Sequence, residues 1–183
     1  MSRVSILLAD GFEEIEAITI IDVLRRAEIE AVAVSVTGSL TVLGAHQIGV
    51  QADILLGDAV EQEWEMVVLP GGLPGATTLR DQEDVQEFLR AHHDKDTPLA
   101  AICAAPIALA KAGILSGKRV TSYPAFSDQL GDVIYEERAV VRDGNLTTSR
   151  GPATAMEFAL NLVEQLRGEG CAQPLAQGML VKS

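Results

Sequence analysis

The residue with the most chemistry within reach is Cys103, in the string Ala100-Ala101-Ile102-Cys103-Ala104-Ala105-Pro106. A short apolar run stops at the thiol, and small residues then open a helical pattern. At such a strand-to-helix turn the side chain stands out over the sheet edge. The next helix aims unpaired N–H groups and the positive end of its dipole at the sulfur. That field favours thiolate over thiol, and a thiolate is both a nucleophile and a target for oxidants. Read alone, a free cysteine is more commonly a small buried hydrophobe. Three further segments tilt the reading toward reactivity.

The first is Gly71-Gly72, after the apolar run Met66 to Leu69. Lacking Cβ, this backbone can approach a substrate oxygen and, with the Ala104 N–H, form a small oxyanion pocket, whereas a plain tight turn is the alternative. The second is Glu13-Glu14-Ile15-Glu16, which opens a helix after Asp10-Gly11. Glu13 and Glu14 read as solvated acids of a first turn, where they suit the dipole. Glu16 falls between the apolar positions Ile15 and Ile18. Turned inward beside a thiolate it would be held protonated by desolvation and like charge, able to donate a hydrogen bond or shuttle a proton; turned outward it is a helix-terminal charge. The third segment is Ser149-Arg150-Gly151. Tyr123, after Val120-Thr121-Ser122, either adds a phenol to the same rim or packs as a half-buried aromatic. The histidines are placed differently: His92-His93 on the wet side of a charged helix, and His46 in an irregular hairpin region. None follows a strand end as a base for Cys103 would, which disfavours a Cys-His hydrolase.

These residues need a scaffold that brings them together. Short apolar runs alternate with longer helical patterns, the signature of a mostly parallel sheet with helices on both faces. Val4 to Ala9 reads as a strand, Glu13 to about Ala27 as a helix, and Ala31 to Val36 as the second strand. A hairpin excursion fills the stretch from Gly38 to Ala59. Met66 to Leu69 and Leu99 to Ile102 are buried strands, the first followed by a Gly- and Pro-rich loop from Pro70 to Gly75; Glu83 to Lys95 is an amphipathic helix and Ala105 to Ala112 the helix after Cys103. Val140 to Thr148 is a hairpin turning at Gly144, and Pro152 to Arg167 the last long helix. Gly11, Gly71-Gly72, Cys103-Ala104 and Ser149-Arg150-Gly151 then all follow strands. Carboxyl ends of parallel strands share one edge, where open α/β sheets bind ligands.

The 183 residues suit one domain, 1–183, large enough to bury a core without staples. With 48% hydrophobic but 4% aromatic residues, that core is expected to be Val, Ile, Leu and Ala. A formal charge of -12 argues against nucleic acid, whose phosphates call for clustered Lys and Arg. Two cysteines without paired spacing, Cys103 and Cys171, make neither a disulfide framework nor a metal site. No run reaches the roughly 18 apolar residues of a membrane span, and the start lacks a signal-peptide pattern, so a reducing cytoplasm is the expected setting.

Four ordered segments, Asp10-Gly11-Phe12-Glu13-Glu14-Ile15-Glu16-Ala17, Val68-Leu69-Pro70-Gly71-Gly72 with Gly75-Ala76, Ala100 to Pro106, and Thr148-Ser149-Arg150-Gly151-Pro152, resemble the ThiJ/PfpI superfamily. Within it they are similar to the branch of the Parkinsonism-associated DJ-one proteins and their bacterial YajL relatives. The resemblance spans nearly the whole chain and implies a flavodoxin-like three-layer α/β sandwich that forms homodimers. It implies that Cys103 is the oxidation-sensitive nucleophile and Glu16 the protonated glutamate bonded to it, with Gly71, Gly72 and Ala104 as backbone donors. Arg25, Arg26, His46 and Arg150 are implied near the dimer interface or a pocket that binds small anions. Glyoxalase, deglycase, chaperone and redox-sensing activities are implied, all without cofactor; the partner would be a small electrophilic carbonyl compound or an oxidant. Two departures stand out: the family commonly has histidine where this chain has Tyr123, and arginine at His46.

Overall fold

The computed structural model describes residues 2–181. Met1, Lys182 and Ser183, included in the single-domain reading, lie outside them. In chain order the elements are β1 (Arg3–Leu8), α1 (Glu14–Arg26), β2 (Glu30–Ser35), β3 (Thr41–Leu43), β4 (Gly49–Gln51), β5 (Ile54–Leu55), α2 (Leu56–Ala59), β6 (Met66–Leu69), α3 (Gly75–Asp81), α4 (Glu83–His93), β7 (Leu99–Ile102), α5 (Pro106–Lys111), β8 (Arg119–Val120), β9 (Ile134–Tyr135), β10 (Val140–Asp143), β11 (Leu146–Ser149), α6 (Ala155–Arg167) and α7 (Glu169–Gly178).

Seven strands form the main sheet in the order β10-β11-β7-β6-β1-β2-β5, every neighbouring pair parallel except the β10–β11 hairpin. Its side chains alternate between two cores, because successive residues of a strand face opposite ways. Leu7, Val67, Leu69, Leu99 and Ala101 pack with α2, α3, α4 and α5. Val4, Ile6, Leu8, Met66, Val68, Ala100 and Ile102 pack with α1, α6 and α7. The result is the expected three-layer α/β sandwich. No helix among the described residues is long and apolar enough to cross a membrane.

The register places the site. β11, β7, β6 and β1 are adjacent and parallel, with Ser149 beside Ile102 and Leu69 beside Ala101. Their carboxyl ends therefore lie along one edge, and the four loops singled out in the sequence follow them side by side. Three expectations change. The Gly- and Pro-rich stretch after β6 is loop only as far as Pro74, since α3 starts at Gly75 and buries Ala76 and Leu79. Pro152–Arg167 is not the last helix: α7 follows, after a reversal at Gly168 with φ 80°, and Cys171 on it packs into the second core as a free thiol. His92 is not on a wet face; it is buried, with Nδ1 2.8 Å from the Phe88 carbonyl oxygen.

Candidate active site

Cys103 occupies the residue after β7 with φ 64°, the left-handed region that non-glycine residues seldom adopt. The conformation is held from both sides: the Cys103 N–H donates to the Ser149 carbonyl at 3.0 Å, and the Cys103 carbonyl accepts from the Tyr123 N–H at 2.9 Å. Strain over-determined in this way is characteristic of functional sites. It turns the side chain off the sheet edge, where the sulfur packs against both cores at once. The Ala104 and Gly72 N–H groups point at that sulfur.

Glu16 reaches the same point from the third position of α1. Its carboxyl is fully buried and faces the Cys103 thiol, Oε2 accepts the Gly71 N–H at 2.7 Å, and Oε1 has no hydrogen-bond partner among the described residues. Gly71 is what lets the two side chains meet: a Cβ there would stand 2.6 Å from the Cys103 Cβ and 2.8 Å from Glu16 Oε2. Since the Gly71 N–H is taken by Glu16, the donors left for the sulfur are Gly72 and Ala104, which revises the expected three-donor pocket.

Burial pushes the Glu16 carboxyl up to about 7, against the Gly71 hydrogen bond that pulls it down. Burial also pushes Cys103 up to about 12, helped by the charge of Glu16 and by the hydrogen bond between them. The Ala104 and Gly72 N–H groups act the other way and are outweighed. Desolvation therefore opposes the pull of the two N–H donors on the thiol, and the proton is shared within the Glu16–Cys103 pair. The two groups titrate as one system, so the thiolate gains most when Glu16 holds a proton. A carboxyl in contact with a thiol can exchange a proton with it.

The rim is less committed. The Tyr123 ring is 46% exposed and lies over Gly151, and its hydroxyl makes no hydrogen bond among the described residues. Arg150 is partly exposed and forms no ion pair among the described residues. Arg25 and Arg26 are at the far end of α1, bonded to the Ala31 carbonyl and Asp53 and to Asp22 respectively, and so are outside the pocket. Glu14, expected to be solvated, is only 6% exposed, because His46 of the β3–β4 hairpin covers it. The sequence carried no signal for that contact between residues 32 apart.

A left-handed cysteine after a central parallel strand, facing a buried carboxyl, places the molecule among α/β proteins that present a side chain on a sharp strand-to-helix turn at the sheet edge. A model of the DJ-1/PfpI family matches residues 2–165, and the chain belongs to that family. Protein dj-1beta of Drosophila melanogaster is 42% identical over 96% of this chain and 95% of its own. The crystal structure of Drosophila melanogaster DJ-1beta superposes with a TM-score of 0.96 at 41% identity, covering 100% of both chains. The glutathione-independent glyoxalase DJ-1 of Schizosaccharomyces pombe is 31% identical over 91% of this chain and 92% of its own. Against the Arabidopsis thaliana DJ-1 homologs B and A, the chain spans 41% and 46% of their lengths.

Proposed function

We propose that this protein is a cysteine-dependent, cofactor-independent enzyme for small 2-oxoaldehydes, a glyoxalase that also acts as a deglycase on early adducts of such aldehydes with proteins. The observation that carries the reading is the contact of the buried Glu16 carboxyl with a partly exposed cysteine held at φ 64°. The relative named as a glutathione-independent glyoxalase supports it.

In the scheme, Glu16 takes the Cys103 proton as sulfur adds to the aldehyde carbon of methylglyoxal and returns it to the aldehyde oxygen, giving a hemithioacetal and a carboxylate free to act again. The Gly72 and Ala104 N–H groups stabilise the developing oxyanion. Glu16 then moves the proton of the former aldehyde carbon to the neighbouring carbon while the hemithioacetal hydroxyl proton passes to the ketone oxygen through the enediol, which converts hemithioacetal into lactoyl thioester. Water cleaves the thioester, releasing lactate and restoring the thiol. Methylglyoxal plus water equals lactic acid, so no external electron acceptor enters. The test is steady-state lactate formation by reduced, metal-free wild type and Cys103→Ser. Turnover only in the wild type is expected; equal turnover in both, or none in either, overturns the reading.

A second reading is a redox sensor or chaperone in which Cys103 is oxidised to sulfinate. The unpartnered Glu16 Oε1 favours it, since a protonated Oε1 would donate to a sulfinate oxygen while Gly72 and Ala104 hold the other. In either reading the working unit is a homodimer in the cytoplasm, and neither uses nucleic acid or membrane.

A further inference from the structure

We infer that Glu14 and His46 form a latch that fixes the rotation of the first turn of α1, making Glu14 a positioning residue for the Cys103–Glu16 pair. The inference rests on the reading of that pair as the reactive centre. Glu14 Oε1 accepts the His46 backbone N–H at 2.6 Å, and Oε2 lies 2.7 Å from His46 Nδ1. The carboxylate enters beneath the hairpin turn because residue 44 is glycine: a Cβ there would stand 2.2 Å from Oε1. Three further hydrogen bonds tie the hairpin to the segment before α1, from Gly11 N–H to Leu43 O at 2.7 Å, from Ala45 N–H to Phe12 O at 2.8 Å, and from Leu43 N–H to Asp10 Oδ1 at 2.9 Å.

Glu14 and Glu16 are two residues apart in one helical turn, so their side chains leave the axis about 200° apart. The same short cylinder is gripped on one side by the hairpin and on the other by the Gly71 loop, through Glu13 N–H to Gly71 O at 2.8 Å and Gly71 N–H to Glu16 Oε2 at 2.7 Å. A turn of the helix that frees Glu14 must swing Glu16 away from the sulfur. Stability alone does not call for this arrangement, since an apolar side chain seals such a site without the cost of burying a carboxylate. Glu13 and Glu14 are the charged groups that face His46. Its ring is otherwise exposed, so His46 is open to substitution without loss of core.

The test is the pH dependence of Cys103 alkylation by iodoacetamide, read by intact mass, for wild type, Glu14→Gln, Glu16→Gln and the double variant. Glu14→Gln is expected to lower the apparent pKa of Cys103 by about half a unit or more, because Glu16 no longer sits against the sulfur. The shift should vanish in the Glu16→Gln background. His46→Ala should reproduce part of it, and His46→Asn, whose amide can donate where Nδ1 does, should restore the wild-type profile. An equal Glu14→Gln shift in both backgrounds would show a direct charge effect and overturn the latch, as would no shift. If Glu14→Gln does not fold, the two His46 variants decide by the same criterion. Should Glu16→Gln itself leave Cys103 unchanged, the pair reading fails and the latch with it.

Discussion

Glu16 ties the chemistry of the site to the stability of the fold. A folded-state carboxyl raised to about 7 from an ordinary 4.5 binds its proton more tightly folded than unfolded. Its favourable contribution is therefore fully present below about 4.5 and lost as pH rises through about 7, the reverse of a salt-bridged acid. The loss amounts to about 3 kcal/mol for this fully buried group. Glu16→Gln, which keeps an oxygen for the Gly71 N–H, should remove this dependence. Guanidinium denaturation at about pH 5 and pH 8 should show the variant gaining up to about 3 kcal/mol on wild type between the two; parallel stability curves would exclude Glu16 as the titrating group. Peroxide treatment followed by intact mass probes the other role. Glu16→Gln should still accumulate sulfinate, whereas Glu16→Asp, withdrawn by about one methylene, should not; equal products would remove Glu16 from the oxidation chemistry. Cys103 and Glu16 were both readable in the sequence, the one from its place after an apolar run and the other from its apolar neighbours. Glu14 was not, since its cover comes from a hairpin turn distant in sequence.

Among the elements, the loop from β6 to α3 does most to set the site. Gly72 has φ 92°, and a Cβ there would lie 2.3 Å from the Glu13 nitrogen and 2.6 Å from the Gly11 oxygen, backbone atoms that no rotamer change can clear. Gly72→Ala should cost about 2–4 kcal/mol by chemical denaturation. Gly113→Ala is the control: φ is 80° but a Cβ meets nothing within 4 Å, so only backbone strain of about 1–2 kcal/mol is expected. Equal losses would mean that the close approach at Gly72 is relieved at no cost. Most elements were legible because each has a clean period: the strands as apolar runs, the β10–β11 hairpin through Gly144, α1 and α4 through their apolar faces. His92 was misplaced although the pattern held the answer, for Val85, Phe88, Leu89 and His92 form one buried stripe at helical spacing. The polarity of histidine masked its position. The seven-residue α3 was hidden by glycine and proline at its start, and α7 by Pro174 within it. Composition there speaks for loop, and packing onto the sheet overrides it.

At the scale of the whole molecule, one face remains to be accounted for. Ile15 and Ile18 on α1 are 58% and 44% exposed, and Leu43 and Ile48 on the adjoining hairpin are 44% and 57% exposed. The opposite side of α1 is already spent on the second core through Ala17, Ile20 and Leu24. An outward apolar group of this kind on a chain of charge -12 suits contact with a second copy through α1, in keeping with the expected homodimer. Association brings together two bodies of the same strong charge, so added salt should tighten it by screening their repulsion, whereas a contact built on ion pairs would weaken. Ile18→Glu places a carboxylate on the face without touching the core. Sedimentation equilibrium should show wild type as a dimer that strengthens between about 0.05 and 0.5 M salt, and the variant as a folded monomer throughout. A dimeric Ile18→Glu protein would move the interface elsewhere, and a monomeric wild type would remove the dimer. Because Ile15 and Ile18 flank Glu16 in the sequence, the variant also reveals whether pairing bears on the site: Cys103 alkylation measured beside the sedimentation should change only if the first turn of α1 depends on its partner.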